Sequence, residues 1–280
     1  MMKYKADLHI HSCYSDGSAT IEEIVALVRD SEINVFSISD HDNMEGIKKA
    51  LELTKDMKVQ FIPGIEISSL YENGYEHILG YHCAVEDAGI KKICNQNITA
   101  FEKKDEKFVE NLIDEGYPLD PGEYRSFTYN SRNGGWKVLN YIIEKEIIDD
   151  IYGFLNTYQP GGVLPFAQLV SPETAIKQIH KAGGLAVLAH PGSYVKTEEE
   201  LNQLLKRYME NGIDGIECYT FKNSENVKDT CIQFCLKNNL MITGGSDYHG
   251  RFDRKRQDGL TKWNERELKI DKLLDRFLSV

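Results

Sequence analysis

The sequence lacks a long hydrophobic run, an apolar N-terminal segment and an excess of positive charge. No apolar stretch reaches the roughly 18 residues that a membrane-spanning helix needs, which excludes an integral membrane protein. The start M-M-K-Y-K-A-D does not resemble a secretion signal, so we expect a cytoplasmic protein without membrane contact. With 33 basic and 44 acidic residues, the net charge is −11. Because nucleic-acid affinity depends largely on Lys and Arg, we expect no stable nucleic-acid complex.

An acidic chain is still compatible with a short phosphorylated substrate, because a bound metal ion supplies local positive charge.

The cysteines exclude a protein stabilised by disulfides. There are six of them, without a C-x-x-C pair, which indicates free thiols in a reducing compartment. Cys231 and Cys235 lie four residues apart in a predicted helix, where we expect them to be buried as apolar groups.

The organisation of the chain is typical of an α/β barrel. Its 280 residues, 41% of them hydrophobic, fit one large domain or one domain with an insertion. Helix starts are marked by Thr20 with Glu23, by Ser171 before Pro172, and by Thr197 with Glu200. Seven predicted strands, most of them separated by helices, favour a barrel with a mostly parallel sheet. Residues 91–163 are polar and turn-rich, and predict a helical insertion into a barrel formed by 1–90 and 164–280.

Nearly every predicted strand carries a metal-binding side chain at one end. The first has His9 and His11, the second runs into Asp40 and His41, the third has Glu66, the fourth opens with His77, the fifth ends at His190, the sixth passes Glu217, and the seventh ends at Asp247, with His249 two residues beyond. In a barrel, the carboxyl ends of parallel strands meet at one mouth, where active sites form. The sequence therefore predicts a multinuclear metal site.

The spacing of the first two histidines supports this prediction. His9 and His11 are two apart on a strand, so their imidazoles point to the same side and form a natural ligand pair. Asp16 follows in the loop S-D-G. Two other histidines, His82 and His180, are expected to be structural or on the surface, and His190 considered alone would also be more typical of a structural histidine.

The ordered set of motifs resembles the polymerase-and-histidinol-phosphatase (PHP) family of metal-dependent phosphoesterases. The set comprises D-L-H-I-H at 7–11, S-D-G at 15–17, S-D-H-D at 39–42, G-I-E at 64–66, A-H-P-G at 189–192 and G-S-D-Y-H-G at 245–250. The resemblance implies a distorted (β/α)7 barrel with a trinuclear centre and two to three divalent ions. One ion would be held by His9, His11, Glu66 and Asp247, a second by Glu66, His77 and His190, and a third by Asp16, His41 and His249.

The same resemblance implies further roles for these residues. Glu66 would bridge two ions, and Asp40 would orient a ligand histidine. Asp247, His249 and Glu66 would be the catalytic residues, acting as ligands without a separate general acid. The role of Glu217 stays open between the site and the core edge. Imidazole and carboxylate ligands suit Mn, Fe or Zn equally.

The implied reaction is hydrolysis of a phosphomonoester by a metal-bound hydroxide, on a small phosphorylated metabolite or a nucleotide. The chain length, the insertion and I-H-K-A-G-G-L-A-V-L-A-H-P-G at 179–192 are similar to the branch that acts on nucleoside 3′,5′-bisphosphates and short oligonucleotides. That branch commonly has R-P-H in its insertion, whereas this chain has S-R-N-G-G-W at 131–136. A lysine common near 163 is replaced by Q-P-G-G-V-L-P. Arg132 remains a candidate to bind substrate phosphate.

Four alternatives stay open. Histidinol phosphate and a DNA-repair substrate fit the same chemistry. A C–N hydrolase of the amidohydrolase type also uses histidines and aspartates at strand ends, although no strand lysine suited to carbamylation is evident. A catalytically silent metal-binding domain is the non-enzyme alternative, favoured by the altered R-P-H region and opposed by the complete ligand set.

Overall fold

The computed structural model describes residues 5–72, 74–159, 161–252 and 268–275. Its seven strands pair in chain order to form one sheet: β1 Ala6–Asp7, β2 Val35–Ile38, β3 Gln60–Tyr71, β4 Gly74–Tyr81, β5 Leu185–Leu188, β6 Gly215–Tyr219 and β7 Met241–Gly244. The amide of Leu8 donates to Gly244 O at 3.0 Å, and the amide of Asp247 donates to His9 O at 2.9 Å. These bonds join the first strand to the last, so the predicted seven-stranded barrel is confirmed.

One strand runs against the others. β4 pairs antiparallel with both β3 and β5, whereas the other ladders are parallel. The beginning of β4 therefore lies at the end of the barrel where its parallel neighbours finish. This reversal places His77, near the start of its strand, beside residues that end theirs.

Helices connect the strands and cover the barrel. They are α1 Ile21–Arg29, α2 Ile47–Thr54, α3 Ala88–Asp114, α4 Pro121–Ser126, α5 Lys137–Glu144, α6 Ile151–Thr157, α7 Pro172–Lys181, α8 Glu198–Glu210, α9 Glu225–Asn238 and α10 Asp271–Asp275. Short 3-10 turns occupy Ser131–Asn133, Pro191–Ser193 and Gly250–Phe252. Both predicted capping boxes are formed, at Thr20 with Glu23 and at Thr197 with Glu200. Among the described residues, no helix is long and apolar enough to cross a membrane.

The barrel interior changes from apolar to polar along its axis. Leu79 lies directly opposite both Glu66 and Val187 in the sheet, so these three side chains share its inner face. Ile62 is four residues before Glu66 and belongs with Leu79 and Val187 to one buried hydrophobic cluster, which also contains Leu273 of α10. Apolar side chains thus fill the lower barrel, and the polar residues lie above them at the mouth.

The segment between β4 and β5 contains a hydrophobic cluster of its own, built from α3 to α6 around residues such as Phe108, Tyr141 and Phe154. The first turns of α3 nevertheless pack on the barrel. Their residues Ile90 and Ile93 belong to the buried hydrophobic cluster between the sheet and the helices that cover it. The helix begins at Ala88, before the expected boundary at 91. The division into a barrel and a 91–163 insertion stays a prediction.

A buried amide fastens α3 to the barrel near the mouth. Asn97 is fully buried, and its Nδ2 donates to Asp42 Oδ1 at 2.7 Å and to Ser68 O at 2.6 Å. Its Oδ1 accepts from the amide of Val170 at 3.2 Å. One side chain therefore joins the segment after β2, strand β3 and the chain that returns from the helical segment.

The cysteines agree with the sequence analysis. All six are free thiols, and Cys231 and Cys235 are fully buried in the apolar core.

Candidate metal centre

Glu66 lies at the centre of a cluster of imidazoles inside the barrel mouth. It is fully buried on β3, and its Oε2 lies 3.1 Å from His9 Nε2, 3.2 Å from His11 Nε2 and 3.2 Å from His41 Nδ1. Its Oε1 lies 3.1 Å from both His77 Nδ1 and His190 Nε2. One carboxylate therefore contacts five histidines contributed by four strands, which is the arrangement expected of a bridging ligand.

Two aspartates extend the cluster on either side of His11. Asp247 Oδ1 lies 3.2 Å from His11 Nε2 and 3.5 Å from His9 Nε2. Asp16 lies 3.6 Å from His11 Nδ1, 3.3 Å from His249 Nε2 and 3.9 Å from His41 Nε2. All nine residues expected as ligands from the sequence are thus brought together.

The ligand atoms form three overlapping groups with the spacing needed to hold a cation: His9, His11, Glu66 and Asp247; His11, Asp16, His41 and His249; and His41, Glu66 and His77. The first group coincides with the implied first set of ligands. The second adds His11 to the implied third set, and the third places His41 beside Glu66 and His77. His190 contacts this last group at Glu66 Oε1. Which ligands each ion would share stays a prediction.

The hydrogen bonding of these atoms supports metal binding. Buried polar atoms are nearly always hydrogen-bonded, yet the following buried atoms have no hydrogen-bond partner: His9 Nε2, His11 Nδ1 and Nε2, His41 Nδ1 and Glu66 Oε2. They face one another across the cluster. Imidazole nitrogens and carboxylate oxygens are common metal ligands, so these residues fit a set of divalent cations.

Glu217, whose role the sequence left open, supports two ligand histidines. It is fully buried; its Oε1 lies 2.9 Å from His9 Nδ1, and its Oε2 accepts the His190 amide at 2.8 Å. A carboxylate at one ring nitrogen fixes the ring and leaves the other nitrogen for a metal. We therefore assign Glu217 to the site as a residue that positions His9.

Further hydrogen bonds fix the other rings. His249 Nδ1 lies 2.8 Å from Asp247 O, which turns Nε2 toward Asp16. The Tyr194 hydroxyl accepts the amide of His77 at 2.9 Å and lies 3.0 Å from His190 Nδ1. Tyr194 was not predicted from the sequence, although it follows His190 by four residues in the same loop at the barrel mouth.

Asp40 acts on a loop and not directly on an imidazole. Its carboxylate accepts the Ser12 amide at 2.7 Å, the Ser12 hydroxyl at 2.6 Å and the Ser15 hydroxyl at 2.6 Å. These bonds hold the segment between His11 and Asp16. The expectation that Asp40 orients a ligand histidine is thus changed in its detail, because the serines of S-C-Y-S take both of its oxygens.

The charges in the cluster are strongly coupled. Burial opposes ionisation of Glu66, but the charge of neighbouring imidazoles, above all His9, outweighs burial and holds its pKa well below the usual range. Burial likewise disfavours a charged His11, yet the adjacent carboxylates of Asp247 and Glu66 raise its pKa to about 10. The pKa of His9 is also raised well above its usual value, because Glu66 and Glu217 outweigh burial.

His41 and His190 behave in the opposite way. Burial lowers the pKa of each to about 3, and at His190 the positive charge of Lys222 is the next cause. These two rings are therefore neutral near pH 7 and present a lone pair, whereas His9 and His11 hold a proton that a metal ion would displace.

The backbone at the site is strained and closely packed. Asp42, His190 and Asp247 have positive φ values of 47°, 26° and 52°. Such conformations cost about 1–3 kcal/mol each and occur preferentially at functional sites. At Gly245 a Cβ atom would lie 2.2 Å from His9 Cβ. Only glycine, which has no Cβ, therefore allows the end of β7 to approach His9 this closely.

Arg132 lies outside the ligand cluster. Its Nη2 pairs with Glu23 Oε1 at 2.7 Å, at the N-terminus of α1, and both side chains are exposed. The chain just beyond it does contact the site, because the amide of Gly135 donates to Asp16 O at 2.7 Å. The role of Arg132 in binding phosphate stays a prediction.

Two charged residues near Asp247 were not identified from the sequence. Asp7 Oδ1 accepts the amide of Ser246 at 2.9 Å and so ties β1 to the Asp247 segment. Lys222 Nζ lies 2.5 Å from Asp247 Oδ2. Lys222 lies three residues beyond the end of β6. Because strand ends converge on the barrel mouth, its position in the sequence could have identified it as a candidate site residue.

The two structural histidines are also placed as expected. His180 is exposed at the end of α7 and its Nε2 lies 2.8 Å from Asp214 Oδ2, and His82 Nε2 lies 2.9 Å from Leu273 O.

Comparison with known proteins identifies relatives along nearly the whole chain. Phosphoribosyl 1,2-cyclic phosphate 1,2-diphosphodiesterase of Eggerthella lenta is 27% identical over 259 residues, covering 89% of this chain and 95% of the relative. The 5′-3′ exoribonuclease of Haemophilus influenzae is 26% identical, with 89% and 91% covered. The 3′,5′-nucleoside bisphosphate phosphatase of Chromobacterium violaceum is 26% identical, with 94% and 97% covered.

A solved structure from Bifidobacterium adolescentis, described as a metal-dependent phosphoesterase, has the same fold. It superposes with a TM-score of 0.77 at 20% identity and covers 99% of this chain and 96% of its own. The sequence model of the PHP domain matches residues 7–220. Because this match spans most of the chain and includes the buried ligand cluster through His190, the protein belongs to the PHP domain family and is a metal-dependent phosphoesterase.

Proposed function

We propose that this enzyme hydrolyses a phosphomonoester on a small phosphorylated metabolite or nucleotide, with a nucleoside 3′,5′-bisphosphate as the leading candidate. The main support is the arrangement around Glu66, where buried ligand atoms without hydrogen-bond partners converge from the strand ends on one point. Two to three divalent ions there would concentrate positive charge, which suits the dianion of a terminal phosphate. Mn, Fe and Zn all fit the donor atoms.

When bound, the metal ions would hold the phosphoryl oxygens, lower the pKa of a water molecule and stabilise the leaving oxygen. The protein's own residues keep the ligands in place for this chemistry. Glu217 orients His9, Tyr194 contacts His190, and the carbonyl of Asp247 orients His249. Glu66, Asp247 and His249 are the proposed catalytic residues, and each acts as a ligand.

The helical segment supports a small substrate or a chain end. Its Gly135 lies against the Asp16 loop, because the amide of Gly135 donates to Asp16 O, and the Tyr129 hydroxyl in turn donates to Gly135 O at 3.1 Å. This contact would limit approach from one side of the mouth. Loops over a rigid barrel commonly carry specificity, so we assign substrate choice to this segment.

The proposal is tested by a phosphate-release screen on protein reconstituted with Mn. The substrates are nucleoside monophosphates, 3′,5′-bisphosphates, histidinol phosphate, a cyclic phosphate and a short 5′-phosphorylated RNA. Highest turnover is expected on a phosphomonoester of a small nucleotide. In water labelled with heavy oxygen, each released phosphate should carry one label atom, because water attacks phosphorus directly.

Three results would contradict the proposal: preferential cleavage of RNA or a phosphodiester, hydrolysis of amides without phosphatase activity, or a trapped phosphorylated side chain. An Asp16→Asn variant is the control for activity at this site. It weakens the group formed with His41 and His249, so it should lose turnover together with bound metal.

A further inference from the structure

Lys222 lies in the loop between β6 and α9, and that loop is firmly held at the barrel mouth. The neighbouring Asn223 donates to Glu217 O and Cys218 O, both at 3.0 Å, and accepts the amide of Gly192 at 2.8 Å. Its side chain thus joins the end of β6 to the loop that follows His190. The backbone of Lys222 is therefore fixed beside the metal ligands.

The ammonium of Lys222 contacts one side of a carboxylate whose other side faces the imidazoles. Its Nζ lies 2.5 Å from Asp247 Oδ2, while Asp247 Oδ1 lies 3.2 Å from His11 Nε2. The Asp247 side chain is 1% exposed, whereas that of Lys222 is 30% exposed. The positive charge therefore lies at the boundary between the buried ligand cluster and solvent.

We propose that Lys222 binds the phosphoryl group of the substrate and gives the site its preference for dianionic monoesters. This inference rests on the proposed function and deepens it. A phosphate held beside Asp247 comes within reach of the ammonium, which is a flexible point charge suited to phosphate oxygens. A monoester dianion gains more from this charge than a diester monoanion does.

The test compares Lys222→Met with Lys222→Arg and with Lys206→Met. Lys206 is exposed on the outer face of α8, so its variant changes the net charge equally without touching the site. Calorimetry first measures Mn binding, and then measures binding of inorganic phosphate to the Mn-loaded proteins. Lys222→Met should bind as many Mn ions as the unmodified protein but bind phosphate about 10- to 100-fold more weakly. Lys222→Arg and Lys206→Met should bind phosphate within a few-fold of the unmodified protein.

Kinetics supply the substrate preference. For 4-nitrophenyl phosphate and its methyl diester, which share a leaving group, Lys222→Met should lower kcat/KM at least 10-fold more for the monoester. Unchanged phosphate affinity in Lys222→Met would overturn the inference. Loss of Mn with normal phosphate binding at the loaded sites would also overturn it, because Lys222 would then only position Asp247.

Two further points keep the test separate from folding and from the proposed function. If the Met variant folds poorly, Lys222→Gln replaces it and the same outcomes apply. Phosphate binding needs no turnover, so a weaker phosphate complex in the variant supports Lys222 even if the screen finds no monoester substrate. A failed screen alone contradicts the proposed function.

Discussion

Replacing Glu66 by Gln tests whether one carboxylate unites the metal site. Gln has nearly the same shape, so the variant should keep the barrel fold. It removes the negative charge that lies within 3.1 to 3.2 Å of the five imidazoles of His9, His11, His41, His77 and His190. A neutral amide would also offer one oxygen where the carboxylate offers two, so ions on both sides of Glu66 should be held less tightly.

The size of the effect follows from burial and distance. Two unit charges 4 Å apart interact by about 4 kcal/mol at an effective dielectric constant near 20, and a divalent ion doubles that value before solvent compensates. Removing one partner of a buried charge pair typically costs about 3–5 kcal/mol. At about 1.4 kcal/mol per tenfold, Mn affinity should fall roughly 140- to 3,700-fold. Turnover should become undetectable at Mn concentrations that saturate the unmodified enzyme.

Elemental analysis and calorimetry measure this loss, and circular dichroism checks the fold. The unmodified protein should bind more than one ion per chain. Glu76→Gln is the matched control: Glu76 is also buried, next to His77 in sequence, but it pairs with Arg207 and Tyr208 away from the cluster. That control should lower the melting temperature and keep the metal content. If Glu66→Gln retained full metal content and near-normal turnover, Glu66 would not be a bridging ligand.

Three other perturbations probe the site independently. Metal binding at pH 7 should release about two protons, because His9 and His11 have raised pKa values and metal requires neutral rings; calorimetry in buffers of different ionisation enthalpy measures this release. Without metal, protonated His11 stabilises the fold fully below about pH 6.5, and this contribution is lost as pH rises toward about 10. Metal affinity should rise over the same pH range, because fewer protons then have to be displaced. A release near zero would mean that these rings are already neutral. Gly245→Ala should destabilise the metal-free protein by about 1–3 kcal/mol in urea unfolding, because its Cβ would collide with His9; an unchanged midpoint would show that β7 can move away. Arg132→Ala should raise KM for a phosphomonoester several-fold with metal content unchanged, and an unchanged KM would mean that this arginine serves only its ion pair with Glu23.

The sequence predicted the features that depend on local order along the chain. Helix starts at Thr20, Ser171 and Thr197 were evident because a cap and the amides it binds are neighbours in sequence. The barrel and the mouth cluster were also predictable. Strand alternation and the position of a residue at a strand end are local, and the convergence of strand ends in a barrel is general.

Other features depended on pairing between distant segments. The antiparallel direction of β4 is set by its ladders to β3 and β5, and its own residues do not encode that direction. The place of Asp40 on the Ser12 loop, and not on a ring, followed from packing. The same holds for Arg132 at Glu23, whose partner lies 109 residues away in sequence.

Glu217 and Lys222 show this division most clearly. A carboxylate in a strand and a lysine in a loop have the same local patterns whether they support a site or lie beside it. Only closure of the barrel placed Glu217 against His9, 208 residues away in sequence, and set Lys222 against Asp247. The sequence alone thus determined which side chains could bind metal, because ligand chemistry belongs to the residue. The tertiary structure decided which groups orient and charge those ligands, because such contacts exist only once the strands have closed around them.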